Sequence, residues 1–279
     1  MSEIGKLYIV PTPIGNLADI SHRALAILAE VDLIAAEDTR HSLKLLQHYD
    51  IQTRLISLHD HNEAQRALEL INKIQQGLNV ALISDAGTPL ISDPGYGLVN
   101  QCRAANITVI PLPGPCAATT ALCAAGLPTD RFRFEGFLPV KMQAKHQALA
   151  TLLLESATSV FYESPRRIAQ TVADIVEVLG AEREIVLAKE LTKTFETFYS
   201  GTAADCHTWL EADPNHQRGE FVLMISGVKV NQSEVSSEAM ALLTLLMKEL
   251  PLKKAAAIVA EHYSLKKNIL YQMGLDLNQ

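Results

Sequence analysis

Apolar residues in the first hundred or so positions follow two alternating rhythms. Short continuous runs at residues 7–11, 32–36, 80–83 and 107–110 read as buried strands. Stretches with helical spacing separate them. Ser21 stands as a cap ahead of Leu25, Leu28 and Val31. Asn62 precedes a helix carrying Ala64, Leu68, Ile71 and Ile74 on one side and closed by Gly77, and a further helix starts near Gly97. Strands separated by helix-length patterns predict a largely parallel sheet covered on its faces.

The rhythm changes at LPGPCAATTALCAAGLP, residues 112–128. Pro113, Gly114 and Pro115 break the chain before a helix rich in Ala and Thr that ends at Gly126. Beyond it, residues 132–137 alternate, and 159–162, 185–188, 194–199 and 220–226 read as strands. Some follow one another without a helix, which predicts a mixed sheet. A polar segment, VNQSEVSSEA, then leads into three short helices with breaks at Pro251 and Ser264, a helix-turn-helix type of unit. The pattern predicts an α/β protein: an N-terminal α/β domain (1–115), a second α/β domain (116–230) and a helical C-terminal domain (231–279).

Composition narrows the class. Of 279 residues, 48% are hydrophobic and 20% charged, enough apolar surface for sizeable cores and against global disorder. No apolar run reaches about 18 residues, so no membrane span is expected. The N-terminus has no basic leader or cleavage site, so no export signal is expected, and the expected location is the cytoplasm. The four cysteines, Cys102, Cys116, Cys123 and Cys206, form no CxxC pair and read as reduced thiols. A net charge of −7 argues against a nucleic-acid binder relying on global charge, while leaving room for a local basic surface.

The loops carry the chemistry. ISDAGTPLISDPGYG, residues 83–97, could be a metal site on Asp85 and Asp93, but no His or acidic cluster stands at ligand spacing nearby. It lacks the lysine of a phosphate loop and the GxGxxG of a dinucleotide fold. What remains is a backbone-lined ligand seat at a strand's carboxyl end, where Gly87 permits close approach and Pro89 fixes the turn; Asp93 reads as structural. PTPIGN, PGPCAA and YESPRR have the same character at other strand ends, and the four together predict a cleft between two domains. SLHDHNE offers His59, Asp60 and His61 with no partner cluster elsewhere, so no metal is expected.

These motifs come as a set. VPTPIGNLADIS, EDTR, SDAGTPLISDPG, PGPCAATTAL, FYESPRR, KELTKTFE and RGEFVLMI, spread over residues 5–228, make the chain resemble the tetrapyrrole methylase superfamily. Its members are S-adenosylmethionine enzymes of two α/β domains with the cofactor in the cleft. The set is closer still to a branch that methylates the ribose 2′-oxygen of a decoding-region cytidine in 16S rRNA. The resemblance implies S-adenosyl-L-methionine as cofactor, held by Ile14, Ala86, Gly87, Thr88, Ile91, Cys116, Ala117, Tyr162, Glu163 and Leu191. Thr88 stands where many relatives carry Asp. It also implies a homodimer and, as partner, 16S rRNA or the 30S subunit. Asp85, Glu163 and Lys189 are the candidates to position or deprotonate the ribose hydroxyl, Lys189 only if its environment lowers its proton affinity. Arg40, Arg166, Arg167, Lys253, Lys254, Lys266 and Lys267 are candidate RNA contacts, expected on one face. Methylation of a tetrapyrrole, or a ribosome-binding factor without S-adenosylmethionine affinity, are the alternatives.

Overall fold

The computed structural model describes residues 4–59, 61–228, 237–263 and 265–276. Met1–Gly227 and Val228–Gln279 form two compact units. The first contains two five-stranded sheets. Strands β1 (Leu7–Ile9), β2 (Leu33–Ala36), β3 (Leu55–Ser57), β4 (Val80–Ile83) and β5 (Val109–Pro111) form one, in the order β3-β2-β4-β1-β5 with every pairing parallel. Strands β6 (Phe132–Phe137), β7 (Thr158–Glu163), β8 (Glu184–Lys189), β9 (Thr197–Thr202) and β10 (Phe221–Ile225) form the other, in the order β6-β7-β10-β8-β9. There β6–β7 is parallel and the remaining pairs antiparallel, a mixed sheet as the pattern predicts.

The first sheet is doubly wound. Leu7, Ile9, Leu33, Ala35, Val80 and Leu82 pack on one face against α3 (Glu63–Gln75) and α4 (Tyr96–Ala104). Ile34, Ala36, Ala81 and Ile83 turn to the other face, against α1 (His22–Glu30) and α2 (Thr39–His48). This period-two division of apolar strands is what covering both faces demands. The connection leaving β1 runs toward β2 and that leaving β4 toward β5, in opposite directions along the sheet. The carboxyl ends of these neighbouring strands are therefore a switch point, where open α/β sheets hold ligands. In the second sheet α5 (Ala117–Ala124) covers Val160, Val186, Ala188, Val222 and Met224 on one face. On the other lie α6 (Met142–Ala150), α7 (Ile168–Leu179) and α8 (Ala203–Ala212).

The second unit holds α9 (Ser237–Leu246), α10 (Leu252–Tyr263) and α11 (Lys267–Asp276), closed around Leu243, Ala256, Val259 and Leu270. No described helix is long and apolar enough to cross a membrane. The expected boundary at 115/116 falls inside the first unit, between its sheets, and the one at 230/231 lies outside the described residues.

Several local readings shift. Ser21 accepts from the Ala24 N–H at 3.1 Å and caps α1 as expected. Asn62 does not cap α3 with its side chain; its Oδ1 accepts from the His59 N–H instead, so the amide closes the preceding turn. The buried stripe of α3 is Ala67, Leu70, Ile71 and Ile74, an i, i+3, i+4, i+7 set that leaves Leu68 exposed. Helix α2 and strand β3 were not marked by the apolar pattern. Only Ser42 and Leu46 of α2 are buried, and β3 is a half-buried edge.

Candidate functional site

The loop after β1 and the loop after β4 are stitched together by two backbone hydrogen bonds, Thr12 N–H to Gly87 O (2.9 Å) and Gly87 N–H to Thr12 O (3.0 Å). Gly87 sits at φ +84°, and a Cβ there would stand 3.3 Å from Ile14 Cγ2. Only glycine holds this backbone without strain while leaving the space beside it open. Thr88, the residue standing in place of the relatives' Asp, donates its hydroxyl to Pro115 O at 2.8 Å and ties the loop to the segment entering α5.

Between this rim and the second sheet lies a cavity of about 390 Å³. Nine of the ten residues implied as cofactor contacts line it: Ile14, Ala86, Gly87, Thr88, Ile91, Ala117, Tyr162, Glu163 and Leu191. Cys116 does not; it occupies the N-cap of α5 and packs with Ile14, Ala117 and Tyr162 beside the cavity. Phe137, Ala188 and Val222 complete the apolar wall, contributed by strands whose pattern marks them only as core. The Tyr162 ring lies between Phe134 and Phe137 (centroids 4.9 and 5.8 Å), and its hydroxyl accepts from Ala118 N–H at 3.2 Å. Burial pushes its phenol well above the usual range, so it stays protonated. The N–H groups of Ala86, Thr88 and Leu191 have no hydrogen-bond partner among the described residues. Apolar walls and unspent backbone donors fit a nucleoside-bearing ligand of S-adenosylmethionine's mixed polarity.

Asp93, read from sequence as structural, lines this cavity together with Ser92. Burial lifts its carboxyl to about 6, opposed by a hydrogen bond with Ser84 and reinforced by the charge of Asp85. Asp85 itself lines a second cavity of about 380 Å³ on the α2 side and accepts from Asp38 N–H through Oδ1 at 3.0 Å.

The other two candidate bases have partners elsewhere in the fold. The Glu163 side chain is fully buried, with Oε1 accepting from Ser164 N–H (2.8 Å) and paired with Arg167 Nε (3.2 Å), while Oε2 accepts from the Thr171 hydroxyl (2.8 Å). Its carboxylate anchors the start of α7. Lys189 Nζ donates to Asn215 O at 2.7 Å, so its ammonium is a structural clasp. Arg167, besides its pair with Glu163, donates through Nη2 to Leu138 O at 2.7 Å. Arg40 and Arg166 are exposed, although Arg40 bonds Asp38 at 3.0 Å and holds that carboxyl down at about 2. Lys253, Lys254, Lys266 and Lys267 are exposed on the second unit. Asp60 lies outside the described residues. His146, Asp174 and Glu177 do come together, but Lys145 Nζ already lies 2.6 Å from Asp174 Oδ2, and the ammonium occupies the charge a cation would need.

Comparison with known proteins identifies the family. The model for Tetrapyrrole (Corrin/Porphyrin) Methylases matches residues 6–206, and that for the RsmI C-terminal HTH domain matches 233–278. The chain is 57% identical over 271 residues to the ribosomal RNA small subunit methyltransferase I of Vibrio cholerae, covering 97% of this chain and 94% of that one. It is 59% identical over 273 residues to the protein of the same name from Pasteurella multocida (98% and 97%). Among solved structures, the methyltransferase CobJ superposes with a TM-score of 0.60 at 18% identity, covering 80% of this chain and 95% of that one. The uroporphyrin-III-C-methyltransferase of Thermus thermophilus gives 0.55 at 21% (80% and 94%), and both likenesses speak to fold. The chain belongs to the tetrapyrrole methylase family, within the branch of its ribosomal RNA small subunit methyltransferase I relatives.

Proposed function

We propose that the protein transfers a methyl group from S-adenosylmethionine to the ribose 2′-oxygen of a cytidine in the decoding region of 16S rRNA. The observation that carries this reading is the identity above one half, over nearly the whole chain, to proteins named ribosomal RNA small subunit methyltransferase I. S-adenosylmethionine supplies a methyl group already activated by its sulfonium, which departs as a neutral thioether. The protein's task is to hold the acceptor oxygen in line with that methyl group, and orientation of this kind is worth about 7–11 kcal/mol. The unspent N–H groups of Ala86, Thr88 and Leu191 fix the donor, and the apolar walls keep water out. Asp93 places a carboxylate beside a cationic ligand above pH 6. Asp85 remains the candidate to accept the ribose proton as the oxygen–carbon bond forms; no described hydrogen bond engages its Oδ2. A base in this position contributes about 10²–10⁴ in rate.

Arg40 and Arg166 on the first unit, with the four lysines of the second, supply the RNA contacts. The chain works as three domains, 1–115, 116–230 and 231–279, as a homodimer in the cytoplasm acting on the 30S subunit or its free 16S rRNA. Labelled-methyl transfer to 30S subunits, free 16S rRNA and uroporphyrinogen, followed by mapping of the modified nucleotide, tests the reading. Label on a 2′-oxygen of 16S rRNA is the expected result. Label on the porphyrinogen alone, or none with measurable S-adenosylmethionine binding, overturns it.

A further inference from the structure

The second cavity shares Ile14, Ala86 and Glu220 with the first, yet its lining differs in kind. His41 and Ser42 come from the first turn of α2, Asp85 and Thr12 from the strand ends, and Lys44 stands exposed at the rim. Ser42 is 2% exposed, and its Oγ is a buried hydroxyl with no partner. A buried, unpaired hydroxyl is unfavourable unless a ligand or water completes it. The start of the ten-residue α2 lies on the same side, where the Asp38 carboxylate caps it by accepting from Arg40 N–H and is itself paired with the Arg40 guanidinium. Lys193, also in the lining, is paired with Glu190 (2.8 Å) and Glu220 (2.9 Å), which leaves Lys44 as the lysine of this cavity that no ion pair engages among the described residues.

We propose that this polar cavity is the acceptor seat: it takes one nucleotide splayed from the RNA strand, with a phosphate at Ser42 and Lys44 and the ribose toward Asp85 and the Ile14–Ala86 partition. The inference rests on the proposed RNA methylation. It explains why the two cavities differ: the apolar one suits a nucleoside thioether, the polar one a phosphorylated sugar. Single-stranded RNA is read in this way, one unstacked nucleotide at a time.

Steady-state methyl transfer to 30S subunits tests the assignment in the full-length wild type, Lys44→Glu and Ser42→Ala, at several salt concentrations, with S-adenosylmethionine affinity measured calorimetrically. Lys44→Glu is expected to raise KM for the 30S subunit about tenfold at unchanged kcat and to reduce the salt slope by about 0.7–1, one phosphate contact. Ser42→Ala raises KM less, and neither variant changes S-adenosylmethionine affinity. Unchanged KM and salt slope in Lys44→Glu overturn the assignment. Weakened S-adenosylmethionine binding in either variant also overturns it, giving the cavity to the donor. If the wild type methylates no RNA, the proposed function fails, and a second measurement judges the cavity. Crystals of the protein with S-adenosylhomocysteine are soaked with 5-iodocytidine 5′-monophosphate. Iodine density between Asp85 and Lys44 supports the seat, and density elsewhere or none rejects it.

Discussion

At the strand ends of the first sheet, Asp85 and Asp93 each face a cavity, whereas in and around the second sheet Glu163, Lys189, Asp174 and Lys145 are engaged by internal partners. Both regions offer carboxylates and lysines beside a ligand-sized space. The difference is where the hydrogen-bonding capacity goes. The parallel sheet ends in loops that bond one another through the backbone of Thr12 and Gly87 and the Thr88 hydroxyl to Pro115 O, and so leave the carboxylates of Asp85 and Asp93 lining cavities. The mixed sheet and its covering helices tie their charges to one another: Glu163 to the start of α7, and Asp174 of α7 to Lys145 of α6. A charged residue at a strand end is thus a scaffold part or a ligand part according to whether a neighbouring helix uses it first.

The largest effect should come from breaking the scaffold side. Asp174→Ala strands the buried Lys145 ammonium and should cost about 3–5 kcal/mol in chemical denaturation. Activity per folded molecule should stay as in the wild type, and pairing Lys145→Met with Asp174→Leu should restore much of the loss. On the ligand side, Gly87→Val forces a β-branched residue to φ +84° and fills the space beside Ile14. S-adenosylmethionine affinity should drop by about 100-fold in calorimetry, with little change in the circular dichroism of the fold.

Asp93 sharpens the comparison through pH. The folded carboxyl keeps its proton up to about 6, against 3.8 in its ordinary state, so the native protein binds more protons than the unfolded chain between those values. Its stability therefore falls as pH rises from about 4 to 6. Asp93→Asn should flatten that slope and add about 1 kcal/mol at pH 8, a figure reduced for the group's partial exposure. In the wild type, affinity for the cationic sulfonium relative to the neutral thioether product should decline below pH 6, and the variant should lose that dependence. The smallest effect is expected at Arg40, whose pair with Asp38 is solvent-exposed. Arg40→Ala should leave the thermal midpoint unmoved while lowering the salt slope of RNA binding by about one.

How much of this the sequence carries depends on which atoms do the work. Gly87, Ala117 and Leu191 are legible because a backbone contact constrains size and φ/ψ, and the motif records that constraint. Asp93 and Asp85 are not legible in the same way. Eight residues apart on one loop, they face different cavities because Leu90 and Ser92 turn the chain through positive φ between them. Glu163 and Lys189 read as bases because their partners, Thr171, Arg167 and Asn215, lie 4 to 26 residues away and reach them only in the fold. The polar cavity is the hardest to see in advance. Its lining joins α2, which has only two buried residues, to the loop after β1 and to loops about 40 and more residues further along.

Of the six non-glycine residues held at positive φ among those described, Leu90, Ser92, Glu190 and Thr192 belong to the two segments that follow β4 and β8. Such conformations cost of order 1–3 kcal/mol each. That sets an evolutionary tension: glycine at Ser92 or Thr192 would ease the native backbone, yet it would also free the unfolded chain and loosen the loop. Lineages adapting to heat should therefore gain stability elsewhere, in caps and surface charges, and leave these four positions occupied by side chains.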